Sequence, residues 1–195
     1  MPENKDLRMI ENIKDEILNC KKCDLHKTRG HVALGDWNPE AKIMFIGIAP
    51  GRLGADMTGI PFTKDKSGIF FRSLLEKFNI PSEDVDITNV VRCNPKNEKG
   101  NNRNPSLKEI QICSLYLDKE IQMVNPKIIV PLGKIPTEFV LKKKVGKMED
   151  YHGKVFNVGN TIVFPLYHPS YIVNYPQYDK KKYEEDFAKI KDLKS

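Results

Sequence analysis

Side chains that are far apart in the sequence could act together on a planar heterocycle. Asp65 can orient or deprotonate a water molecule, with Asp56 as a second candidate acid, and His168 can stabilise negative charge on a leaving base. Asn89 offers a paired donor and acceptor that match the edge of a nucleobase, and the ring of Phe62 can stack on its face. No P-loop or G-x-S-x-G motif offers a competing chemistry.

The loops that carry these residues follow apolar strands. Residues 43–48 form an apolar run that stops at an Ala-Pro-Gly turn over 49–51, where proline and glycine turn the chain sharply. Asn89 lies near the end of a second predicted strand, over 86–93, and His168 follows the last strand. Because crossovers leave a parallel sheet from one edge, we expect these loops to form one pocket.

The order of the predicted elements is helix–β–α–β–α–β–α–β–α, which indicates an α/β fold. We expect a three-layer αβα sandwich around a central, mostly parallel four-stranded sheet, with residues 1–195 forming a single domain. The predicted elements include a first helix over 3–19, a third strand over 127–133, a hairpin over 152–164 and a basic helix over about 179–193.

The composition is typical of a soluble globular protein with an anionic partner. The 195 residues are 39% hydrophobic and 30% charged, with a mean hydropathy of −0.49. No apolar run approaches a membrane span and the N-terminus lacks a signal-peptide core, so we expect a cytoplasmic protein without membrane contact. The net charge of +6 and the pI of about 9.0 favour an anionic partner.

Four cysteines suggest metal or redox chemistry rather than disulfides. Cys20 and Cys23 form a C-x2-C pair, whereas Cys93 and Cys113 lie far from it and from each other. A zinc ribbon would normally offer a second short pair, so four thiolates from separate segments fit an iron–sulfur cluster better. A zinc site, or unrelated buried thiols beside a chance pair, are the alternatives.

Several longer motifs resemble those of one enzyme family. They are GIAPG at 47–51, TGIPFTKDKSG at 58–68, TNVVRCNP at 88–95 and YHPS at 167–170. With these motifs and its cysteines, the chain resembles the iron–sulfur uracil-DNA glycosylases, families four and five of their superfamily. The resemblance implies a DNA repair enzyme that flips uracil out of DNA and hydrolyses its N-glycosidic bond, leaving an abasic site. It also implies a structural [4Fe–4S] cluster on Cys20, Cys23, Cys93 and Cys113.

The motifs resemble a hybrid or divergent branch of these families. Family four carries a glutamate after the first glycine of its GE-x-PG motif, where this chain has Ile48. The loop length and the acid of FTKDKSG resemble family five, so the resemblance gives Asp65 the role of placing the water. Asp56 falls where family five often has asparagine, and the HPSYIVNYP segment resembles family four.

The resemblance also implies how the substrate is held. Phe62 stacks on uracil, Asn89 reads its polar edge, and His168 with a backbone amide stabilises the departing anion. Gly47, Ile48 and Ala49 are expected to contact the substrate, and Ser170 to bind a phosphate. Tyr171 or Ile172 is expected to enter the space that the base leaves in the stack. The expected partner is single- or double-stranded DNA that contains uracil, bound by a monomer, with a sliding clamp as a further candidate.

Three other functions fit parts of the sequence. Ile48 removes a carboxylate from the pocket floor, which favours a glycosylase for other deaminated bases such as hypoxanthine or xanthine. A DNA-binding protein with a cluster and weak catalysis would bind DNA and form no abasic product. A zinc-binding structural protein would be colourless.

Overall fold

The structure, a computed structural model, describes residues 4–193 of the chain. Its strands are β1 (Ile43–Gly47), β2 (Val85–Asn89), β3 (Ile128–Pro131), β4 (Phe156–Val158) and β5 (Thr161–Val163). Its helices are α1 (Asn4–Leu18), α2 (Ala55–Thr58), α3 (Lys66–Lys77), α4 (Leu107–Val124), α5 (Lys134–Leu141), α6 (Pro169–Asn174) and α7 (Lys180–Leu193). Within this range, no helix combines the length and apolar character that crossing a membrane requires.

The strands form one sheet in the order β2-β1-β3-β5-β4. The pairs β1–β2, β1–β3 and β3–β5 are parallel, and β4 pairs antiparallel with β5. The predicted α/β sandwich with a mostly parallel sheet is therefore confirmed. The predicted number of four strands was wrong by one, because both arms of the hairpin join the sheet and β4 extends its edge.

β1 lies between β2 and β3 and is buried along its whole length. Its side chains alternate between the two faces of the sheet. Met44 and Ile46 pack with residues of α1, α4 and α5, whereas Ile43 and Phe45 pack with residues of α3, α6 and α7. Helices on both faces explain why the β1 sequence is continuously apolar.

The carboxyl ends of β1 and β2 lie side by side, with Gly47 in register with Asn89. The predicted second strand continues to residue 93, whereas β2 ends at Asn89. The next two residues still donate their backbone N–H groups to the β1 end, Val90 to Gly47 O at 2.9 Å and Val91 to Ile48 O at 3.0 Å. Asn89 is thus the last sheet residue, at the edge where the loops begin.

A buried ion pair joins α4 to the end of β2. Arg92 Nη2 lies 2.5 Å from Glu120 Oε2, and both side chains are almost fully buried. Arg92 also donates to Thr88 Oγ1 and to Leu34 O, and Thr88 donates to Glu120 at 2.6 Å. Buried pairs add little net stability but can restrain how elements pack. We expect this pair to hold the strand end that carries Asn89.

Candidate active site at the carboxyl edge of the sheet

A cavity of about 820 Å³ opens at the carboxyl edge of the sheet. Its walls come from the segments that follow β1, β2, β3 and β5, which are distant in sequence. The predicted site residues that line it are Ile48, Ala49, Phe62, Asp65, Asn89, His168, Ser170 and Tyr171. Gly47 lies outside this lining, against the side chains of Phe62 and Asn89.

Asp65 is the N-cap residue of α3. Its Oδ1 accepts the backbone N–H of Gly68 at 2.7 Å and the hydroxyl of Ser67 at 2.8 Å. Its Oδ2 faces the turn after β1, where a Cβ on Gly51 or Gly54 would lie 2.9 or 2.7 Å from it. The carboxylate therefore has one oxygen held by the helix and a second that can bind water in the cavity.

His168 is the N-cap residue of α6. Its Nδ1 accepts the backbone N–H of Ser170 at 3.2 Å and lies 2.8 Å from the Ser170 hydroxyl. Because an accepting nitrogen carries no proton, the proton of the neutral ring lies on Nε2. Burial lowers the pKa of His168 to about 4, and the charge of Asp65 opposes this shift only in part. At neutral pH the ring is an uncharged N–H donor.

Asn89 presents an amide that has no hydrogen-bonding partner among residues 4–193. The residue is buried, and none of the described residues forms a hydrogen bond with its side chain. The absence of a side chain at Gly47 leaves room for that of Asn89, because a Cβ there would overlap Asn89 Oδ1 and lie 3.1 Å from Phe62 Cζ. A buried amide of this kind needs a ligand or water to satisfy its donor and acceptor.

We expect Gly47→Ala to disturb Asn89 and Phe62 together. Overpacking of this kind costs about 1–3 kcal/mol of folding free energy, which denaturant titration measures. Gly146→Ala is the matched control, since a Cβ at that position meets nothing within 4 Å. Equal unfolding free energies for the two variants would contradict the contact.

Two residues that the sequence analysis did not single out hold Phe62 in place. Phe62 has a φ of 51°, a left-handed conformation that is unfavourable for phenylalanine. Arg72 donates to Phe62 O at 3.2 Å and to Pro61 O at 3.0 Å, which fixes this turn. Gly68 packs beneath it, where a Cβ would lie 2.6 Å from the Phe62 carbonyl carbon. Strain of this kind is often retained at ligand sites.

Two candidates of the sequence analysis lie elsewhere. Asp56 does not line the cavity, because its Oδ1 accepts the N–H of Gly30 at 2.8 Å and its Oδ2 pairs with Lys96 at 2.8 Å. Of the two candidate acids, Asp65 is therefore the one that lines the cavity. Ile172 is 8% exposed and packs in the core, whereas Tyr171 is 46% exposed at the cavity. Tyr171 is therefore the wedge candidate that reaches solvent.

The loop between β2 and α4 supplies lining residues that the sequence analysis left out, namely Asn94, Asn102 and Arg103. Asn94 donates to Pro50 O at 2.5 Å and to Asn102 Oδ1 at 2.9 Å, and the same Oδ1 accepts the N–H of Arg52 at 3.0 Å. These amides hold the turn after β1. The polar sequence of the loop indicated a loop, but not which amides turn inward.

Comparison with known protein families agrees with this geometry. A model of the uracil DNA glycosylase superfamily matches residues 34–191, a range that includes every residue of the cavity wall. The chain belongs to this superfamily. The resemblance drawn from the motifs is therefore confirmed.

Relatives of this superfamily member include both types that the motifs suggested. A Type-4 uracil-DNA glycosylase of Saccharolobus solfataricus is 40% identical over 95% of this chain and 87% of its own. The Type-4 enzyme of Sulfurisphaera tokodaii is 38% identical over 94% of this chain and 84% of its own. A Type-5 uracil-DNA glycosylase of Pyrobaculum aerophilum is 32% identical over 70% of this chain and 63% of its own.

A solved structure supports the fold of the superfamily member. The crystal structure of Pedobacter heparinus SMUG2 covers 78% of this chain and 75% of its own, with a TM-score of 0.57. Because the sequence identity is 16%, this likeness concerns the fold alone.

The four cysteines of the superfamily member meet at a second, smaller cavity. Cys20 and Cys23 follow α1, Cys93 lies in the loop after β2 and Cys113 lies within α4. All four are free thiols. In the described part of the chain, no group of three or more His, Cys, Asp or Glu side chains is arranged to hold a single metal ion.

The chemistry of this donor set fits an iron–sulfur group. Arg29 donates to Cys93 Sγ at 3.3 Å, and the backbone N–H of Arg92 donates to Cys113 Sγ at 3.2 Å. Burial raises the pKa of Cys113 to about 11, and the thiol of Cys93 adds to the shift. Positive charge from a bound metal would deprotonate such thiols, and N–H donors are the usual partners of cluster sulfurs.

Proposed function

We propose that this chain is a uracil-DNA glycosylase that removes uracil from DNA and leaves an abasic site. The observation that carries the proposal is the shared cavity of Asp65, Asn89 and His168. These side chains supply a carboxylate, a base-reading amide and a neutral N–H donor within one site. The Type-4 names of relatives that align with nearly the whole chain support the same activity.

Recognition begins with a nucleotide turned out of the DNA, at a cost of a few kcal/mol. Phe62 stacks on the extruded uracil, and the unpartnered amide of Asn89 pairs with its polar edge. Ser170 and the basic loops hold the backbone phosphates, while exposed Tyr171 enters the vacated stack.

Hydrolysis breaks the bond between C1′ of the sugar and N1 of uracil. The bonding electrons leave with uracil, and the Nε2–H of His168, aided by a backbone amide near Ala49, stabilises the resulting anion. Asp65 holds a water with its Oδ2 and takes up a proton as the water oxygen bonds to C1′. The proton taken up by Asp65 then passes through solvent to the uracil anion, which restores the carboxylate, so the products are free uracil and an abasic site.

Incubation with a uracil-containing oligonucleotide, followed by alkali, tests this proposal. We expect strand scission at the uracil, in single- or double-stranded DNA, and none in a thymine control. DNA binding without scission would instead indicate a catalytically weak DNA-binding protein.

A second candidate function rests on Ile48, which lines the cavity where family four carries a glutamate. An apolar wall at this position favours a glycosylase that also accepts deaminated purines. A panel of oligonucleotides with hypoxanthine or xanthine separates this wider range from strict uracil removal.

We further propose that Cys20, Cys23, Cys93 and Cys113 hold a [4Fe–4S] cluster, which would supply structural cross-linking of three chain segments. Purified protein should be brown and contain about four iron atoms per chain. Cys113→Ser should lose most of this iron, whereas Lys21→Ser, an exposed change between Cys20 and Cys23, should retain it. A colourless protein that contains zinc would reject the iron cluster.

DNA is the partner that the superfamily and the positive charge support, since +6 at pH 7 favours a polyanion. We propose a monomer that acts on chromosomal DNA inside the cell, with a sliding clamp as a candidate partner. Light scattering and pull-down with the clamp would test these two points.

A further inference from the structure

A partly buried histidine, His152, plays no part in the proposed chemistry and lies next to the loop that carries His168. His152 Nδ1 accepts the backbone N–H of Tyr167 at 3.1 Å, and its Nε2 lies 3.2 Å from Asp186 Oδ2. The His152 ring also packs on Tyr167 at 4.4 Å and lies parallel to Tyr183 at 5.8 Å between ring centroids. The ring is thus enclosed on both faces and bonded at both nitrogens.

These contacts define the tautomer of His152. Because Nδ1 accepts a hydrogen bond, the proton lies on Nε2 and is donated to Asp186. Burial alone would raise the pKa of Asp186, but bonds from Lys189 at 2.5 Å and Lys182 at 3.2 Å outweigh it and hold the pKa below its usual value. Asp186 is therefore a carboxylate that orients the imidazole from α7.

Both backbone polar groups of Tyr167 are held by side chains. His152 accepts its N–H, and the Tyr183 hydroxyl donates to its carbonyl at 3.0 Å. The next residue is His168, whose ring has Ser170 as its hydrogen-bonding partner among the described residues. The direction of the His168 ring therefore depends on the backbone that His152 fixes.

We infer that His152 and Asp186 are a positioning pair that aims His168 at the substrate through the backbone of Tyr167. Neither residue lines the cavity, so neither is catalytic. The inference rests on the proposed function, in which His168 stabilises the departing uracil. It identifies two residues outside the sequence motifs that support this step.

The pair has a consequence for pH dependence. Protonation of His152 Nδ1 would place its new N–H against the backbone N–H of Tyr167. The hydrogen bond that holds the Tyr167 backbone would then be lost. Burial lowers the pKa of His152, against the pull of Asp186, so the accepting form persists below the ordinary histidine value of about 6.5. Activity should fall once the pH drops below the pKa of His152.

The groups that face this ring or the adjacent Tyr167 are Asp186, Lys182, Lys189, Tyr183, Glu149 and Asp150.

Two substitutions separate the bond to Tyr167 from simple packing. His152→Asn keeps an acceptor near the position of Nδ1, whereas His152→Gln extends toward Asp186 and removes that acceptor. We expect the single-turnover excision rate of the Gln variant to fall about tenfold with unchanged DNA affinity, a smaller loss than the roughly 10²-fold that a full displacement of about 1 Å costs. The Asn variant should keep most of the rate and lose the acid limb of the pH profile. The inference would be overturned if both variants lost excision rate equally and in proportion to their drop in melting temperature. It would also be overturned if neither variant lost rate.

A second readout does not need activity. The ring nitrogens of His168 give NMR signals that should shift in His152→Gln and stay close to wild type in His152→Asn. If wild-type protein failed to excise uracil, the proposed function would fail, and these signals would still test the pair. Unchanged His168 signals in both variants would reject it.

Discussion

Asp65→Asn is expected to reduce uracil excision about 10²–10³-fold while leaving the fold nearly as stable as wild type. The Oδ1 of Asp65 caps α3 through Gly68 and Ser67, and an asparagine oxygen can accept the same bonds. What the variant loses is the negative charge at Oδ2, which holds the water and balances the cationic sugar. Single-turnover rates on a uracil oligonucleotide, with thermal unfolding in parallel, measure the two effects separately.

Two further substitutions make this result specific. Asp65→Ala removes the cap as well as the charge, so it should lose about 1 kcal/mol of stability in addition to the rate. Asp56→Asn should instead lower the stability and keep the excision rate, because Asp56 bonds Gly30 and Lys96 and does not reach the cavity. A wild-type rate for Asp65→Asn would mean that backbone groups alone position the water.

Sequence patterns were sufficient to predict those long-range arrangements that follow from general rules of strand burial and parallel-sheet topology. The apolar run of β1 predicted a strand covered on both faces, and the parallel order predicted that Asn89 and His168 would meet at one edge. The spacing of the cysteines similarly predicted a common site, and all four line one cavity. None of these inferences required knowledge of side-chain conformations.

Other features could not be obtained from patterns along the chain. α6 has six residues and a histidine N-cap, which the usual capping preferences do not include. The burial of Asp56 depends on Lys96, and the orientation of His152 on Asp186; both partners are distant in sequence. β4 has two exposed residues in three, so its pattern is too short to separate a strand from a loop.

The two reacting groups are held in a similar way, and this similarity suggests a matched test. Asp65 and His168 each cap a helix with one atom and leave a second atom for the substrate. An asparagine at either position preserves the capping acceptor and removes the reacting group. Loss of rate without loss of folding is therefore expected at both positions.

His168→Asn should lower the excision rate about 10²–10³-fold, the usual cost of removing one electrostatic donor to a developing anion. Asn Oδ1 replaces Nδ1 in accepting the N–H of Ser170, so the start of α6 should persist while the Nε2–H donor is lost. The pH profile adds a second criterion. Since burial lowers the pKa of His168 to about 4, its neutral donor form should last down to about that pH. In the His152→Asn background, the rate should show no loss from His168 until the pH approaches that value. A His168 ring that NMR showed to be protonated near pH 6.5, the ordinary value, would mean that a charged imidazolium, rather than a neutral N–H, meets the departing uracil.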